Sequence, residues 1–173
     1  MDDQDVGEDR NEYSREPSLE DLVELCRELN ASGAKYVVIG GFAIRFAGLP
    51  RTTGDIVLVV DAAPENELLV FEALETLPDQ AVLQLDPGDV AKFNVVRVAD
   101  EILVDLMRSA CGIDYAEAAK DIVIHEVDGV PIPFASPRLL WRMKRPTHRA
   151  KDAGDLVFLR QYFVERGEEP PEC

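Results

Sequence analysis

The run Tyr36-Val37-Val38-Ile39 ends abruptly at Gly40-Gly41. Thirteen residues later Asp55 opens a second run, Ile56-Val57-Leu58-Val59-Val60. Short runs of branched apolar residues with no polar alternation read as strands buried on both faces. Paired glycines at the end of such a strand let another segment approach the backbone closely, and they leave amides free to donate. A short helix over Phe42 to Phe46 would aim its N-terminus at the same place, where an anion is favoured. A chain built around this pattern has a sheet at its centre and an anion-binding turn at one strand end.

The rest of the sequence supplies more strands and the helices to cover them. Leu19, Leu22, Val23, Cys26 and Leu29 recur at helical spacing, with Ser18 as N-cap and Gly33 as stop. A helix is expected over Pro64 to Leu77, and strands over 81–85, 93–98 and 102–107. Ile122 to Val127, the turn Asp128-Gly129 and Val130 to Phe134 form a hairpin signal. Closing helices are expected over about 137–144 and 149–165, with Pro146 between them. Helix, strand and hairpin alternate without a strict βαβ rhythm, so the reading is α+β: one mixed sheet flanked by helices.

Charge divides the chain. Acidic residues outnumber basic ones, 34 against 18, for a net charge of −16. A field of that sign argues against nonspecific attachment to DNA or to anionic lipid. Residues 1–16 are acidic and nearly free of aliphatic side chains, so they read as a mobile arm; 17–165 is the folded domain, and 166–173 an acidic tail. Cys26, Cys111 and Cys173 form no CxxC pair, which disfavours a disulfide framework or a zinc site; Cys26 is expected to be a buried thiol. No secretory signal and no apolar run of membrane-spanning length is read, so the cytoplasm is the expected location.

Asp105 stands inside the apolar run Ile102 to Met107, where a carboxylate is costly unless it faces a cleft or binds something. Six of the basic residues, including Lys144 and Arg149, fall within 138–151. They suit either a solvated helix face or a cationic wall.

Strand, Gly40-Gly41, a thirteen-residue spacer, Asp55 and a later Asp105 together resemble the nucleotidyltransferase superfamily, with its polymerase-β-like fold. The phrase from Gly40 to Ile44 and from Gly48 through Arg51 to Ile56 is similar to small bacterial members, among them the abortive-infection toxins. That resemblance implies a nucleoside triphosphate held by Gly40, Gly41, Arg51, Lys144 and Arg149, with Asp55 and Asp105 as metal and catalytic carboxylates. It implies Mg2+ as cofactor and transfer of a nucleoside monophosphate to an acceptor such as tRNA or protein. The superfamily's Asp-x-Asp places a second carboxylate at position 57, where this chain has Val57. Asp61 does not replace it, lying four residues farther on, about 13 Å along a strand. Three readings stand: a Mg2+-dependent transferase, a degenerate nucleotide-binding or scaffold protein without turnover, and the toxin of a toxin–antitoxin pair. The sequence leaves the oligomeric state open.

Overall fold

A computed structural model describes residues 14–147 and 150–171. Helix α1 (Leu19–Ser32) starts at a capping box, in which Ser18 and Asp21 satisfy each other's backbone amides. Strand β1 (Tyr36–Ile39) follows, then α2 (Gly40–Ala47), β2 (Ile56–Val60) and α3 (Pro64–Leu74), which packs on α1. A short α4 (Asp89–Lys92) leads to the hairpin of β3 (Val95–Ala99) and β4 (Leu103–Met107). A small two-stranded sheet, β5 (Ser109–Ala110) with β6 (Ile113–Asp114), and α5 (Tyr115–Ala118) precede the second hairpin, β7 (Ile122–Val127) and β8 (Val130–Ala135). Helices α6 (Pro137–Lys144) and α7 (Ala150–Glu165) close the chain.

Six strands form one mixed sheet in the order β3-β4-β2-β1-β8-β7. β1 runs antiparallel to β2 and parallel to β8, β2 runs parallel to β4, and both hairpins are antiparallel. The architecture is therefore α+β, as the alternation of elements implies. Every residue of β1 is buried, and so are Ile56, Leu58, Val59 and Val60 of β2. Central strands covered on both faces explain their unbroken apolar sequence. Cys26 is fully buried in the core against this sheet.

Two local expectations change. Residues 81–85 do not form a strand: Ala81–Gln84 is a 3-10 turn, entered through Gln80 at a φ of 50°. The buried Asp100 carboxylate accepts from the amides of Asp79, Ala81 and Glu101, and so ties this turn to the β3–β4 hairpin. The end of the arm is also attached to that hairpin. Ser14 Oγ donates to the Asp100 carbonyl, the Arg15 amide to the Glu101 carbonyl, and the Arg15 side chain pairs with Asp21. Residues 1–13, 148–149 and 172–173, which include Arg149 and most of the acidic arm, lie outside the described residues.

Candidate functional site

The site is built on one row of the sheet. Ile39 of β1 stands opposite Val57 of β2, Val57 opposite Asp105 of β4, and Asp105 opposite Arg97 of β3. Asp55 stands at the bend that enters β2, two residues before Val57. Asp55, just before β2, and Asp105 on the parallel strand β4 both lie against the Arg97 guanidinium.

Arg97 lies between them. Its Nε donates to Asp105 Oδ1 at 2.7 Å and its Nη2 to Asp105 Oδ2 at 2.8 Å, while the same Nη2 is 3.6 Å from Asp55 Oδ2. The Asp105 carboxylate is buried and the Arg97 side chain about one-third exposed. The hydrogen bonds Arg97 donates to Asp105, followed by the charges of Asp105 and Asp55, raise the guanidinium pKa above its ordinary value, against an opposing effect of burial. A bidentate pair of this geometry is the strong form of a charge-assisted contact.

The glycine turn is shaped by its neighbours. Gly40 has a φ of 73°, and a Cβ there would meet Val57 Cγ2 at 3.2 Å. A Cβ on Gly41 would lie 2.5 Å from the Thr53 side chain and 2.9 Å from Arg51 Nη2. The loop carrying Arg51 and Thr53 therefore crosses directly over the start of α2, a crossing that only a glycine permits. Thr53 Oγ1 donates to the Asp55 carbonyl, which fixes the loop to the head of β2.

Arg51 is anchored from behind. Its Nη1 donates to Asp155 Oδ1 at 3.2 Å, and Asp155 Oδ2 is 3.1 Å from Lys144 Nζ. Lys144 Nζ also donates to Asp152 at 3.2 Å. Lys144, Asp152 and Asp155 are all buried. Lys144 therefore does not stand on an open cationic wall. It is an internal counter-ion on α6, joined to the glycine turn through Asp155 and Arg51.

The donor set can be tested against the metal that the resemblance implies. Magnesium takes oxygen ligands at about 2.0–2.1 Å in near-octahedral geometry and dehydrates reluctantly. Both oxygens of Asp105 already accept from a guanidinium, and the neighbouring position on β2 carries the methyl groups of Val57. Among the described residues no cluster of three His, Cys, Asp or Glu side chains could hold a metal ion. The residues present do not fit the ion.

Arg97 is the site residue that the sequence reading does not single out, yet a signal for it exists. A β3–β4 hairpin centred near residue 101 necessarily places residue 97 opposite residue 105.

No protein-family model matches the chain, and no curated protein sequence matches it. Among solved structures it is similar to a Thermotoga maritima protein provisionally named a nucleotidyltransferase, at 19% identity and a TM-score of 0.49, over 86% of this chain and 93% of that one. It is also similar to an antigenic nucleotidyltransferase-like protein from Paracoccidioides brasiliensis, at 18% identity and a TM-score of 0.51, over 83% of this chain and 76% of that one. The second likeness extends over most of both chains, and the chain has the nucleotidyltransferase-like fold.

Proposed function

We propose that this protein binds a nucleoside phosphate at the Gly40-Gly41 turn and does not carry out metal-dependent nucleotidyl transfer. The observation that carries this reading is the cross-strand row Arg97–Asp105–Val57–Ile39. A two-metal site needs convergent carboxylates along that row, and here Asp105 stands between an aliphatic side chain, Val57, and a cation, Arg97.

Support for phosphate binding comes from the other half of the site. The first turn of α2 has no acidic residue, its glycines present backbone amides, and Arg51 lies across them. Among the described side chains, Arg51 and Lys144 are balanced by Asp152 and Asp155. Phosphate is then held by amide donors and one shared guanidinium, without a large positive surplus.

Equilibrium dialysis of the full chain against radiolabelled ATP, in EDTA and in Mg2+, tests the reading. Binding of similar strength in both solutions, weakened by Arg51→Ala, is the expected result. Binding that requires Mg2+ would contradict it, and so would undetectable binding in both.

A further inference from the structure

Asp55 and Asp105 are a puzzle if the site no longer holds a metal, because two carboxylates facing one another, one of them buried, are costly without a cation. The geometry points to Arg97 as that cation: we propose that its guanidinium is the resident counter-ion of the site, and that it excludes divalent metal. The proposal rests on the metal-free reading above and supplies its cause.

Three observations carry it. Arg97 does not reach in from a distant loop; it occupies the residue position directly opposite Asp105 in the β3–β4 ladder, so the pairing is fixed by strand register. Both Asp105 oxygens are taken, at 2.7 and 2.8 Å, by two nitrogens of one planar group, leaving no chelating edge toward a metal. The guanidinium also extends to Asp55 Oδ2 at 3.6 Å, so a single side chain spans both carboxylates. An incoming Mg2+ would have to break a bidentate, partly buried ion pair and give up tightly held water to reach the two carboxylates.

Loss of the carboxylate at position 57 and the presence of Arg97 are separate obstacles. Restoring one alone should therefore not restore metal binding. Val57→Asp would add an oxygen donor beside Asp105, but with Arg97 in place the new carboxylate would join the ion pair. Removing the guanidinium as well would leave three carboxylates, with the Asp105 oxygens released from Arg97.

The test is Mn2+ binding followed by the electron paramagnetic resonance signal of the free ion, with no nucleotide present. Four forms of the full chain are compared: wild type, Val57→Asp, Arg97→Met, and the double variant. Expected are no measurable binding by wild type, little by Val57→Asp, and binding by the double variant at least tenfold tighter than by Val57→Asp. Mn2+ should also raise the melting temperature of the double variant and leave that of wild type unchanged. Where a Met variant fails to fold, Arg97→Gln replaces it in the same comparison, keeping one donor for Asp105. Mn2+ binding by wild type, or equal binding by Val57→Asp and the double variant, would overturn the proposal, because Arg97 would not then be what excludes the metal. Because the nucleotide is absent, failure here leaves the dialysis result standing, and failure of dialysis leaves this one.

Discussion

Arg97 and Asp105 face each other across the β3–β4 ladder and are joined by two hydrogen bonds of 2.7 and 2.8 Å. Arg97→Met should lower unfolding free energy by roughly 2 kcal/mol, less than for a fully buried pair because the arginine is partly exposed. The double variant Arg97→Met with Asp105→Asn should recover part of that loss, since no charge would then be left unpaired on Asp105. Urea unfolding of the four corners of this cycle measures the coupling.

The glycine turn predicts opposite outcomes for one substitution at two places. Gly41→Ala would force a Cβ to within 2.5 Å of Thr53 and displace the Arg51 loop, costing about 2–3 kcal/mol. Gly154 lies inside α7 with nothing within 4 Å of a Cβ placed there, so Gly154→Ala should stabilise by up to about 1 kcal/mol. Thermal melts of the two variants separate a packing requirement from helix propensity.

At the head of α1, Arg15 first and the Ser18 backbone amide next hold the Asp21 carboxyl below its ordinary value of 3.8. A pKa depressed by folding contributes stability above the unfolded value, and that contribution is lost as pH falls through the folded value. Asp21→Asn should therefore cost about 1 kcal/mol at neutral pH. The gap to wild type should close at acidic pH, below 3.8. Denaturant titrations across that range check the sign.

Much of this fold is legible in the sequence. The apolar runs of β1 and β2, the hairpin turn at Asp128-Gly129 and the spacing from Gly40-Gly41 to Asp55 report local geometry that neighbouring residues enforce. Residues 81–85 were not legible, because Ala81-Val82-Leu83 has a strand-like composition and its turn is imposed from Asp100, nearly twenty residues away. The burial of Lys144 depends on Asp152 and Asp155, carried by α7, which packs beside α6. Arg97 could have been paired with Asp105 by counting outward from the hairpin tip. Its role required knowing that the guanidinium reaches Asp55 as well.

Cys26 gives an independent check on the core. Burial pushes its thiol up to about 12, opposed by a hydrogen bond with Tyr36. Thiolate is the reactive form, so Cys26 should resist iodoacetamide at pH 8 in the native protein, whereas the exposed Cys111 should be alkylated. Peptide mapping by mass spectrometry distinguishes the two.

The central claim is that the fold persists here without metal-dependent transfer. Its most direct test is release of pyrophosphate from the four ribonucleoside triphosphates in Mg2+, with total RNA and cell protein supplied as acceptors, comparing the wild-type chain with Asp55→Asn. The account predicts no release above background from either form. Mg2+-dependent release by wild type that disappears in Asp55→Asn would contradict it, showing that Asp55 holds a working metal despite Val57 and Arg97.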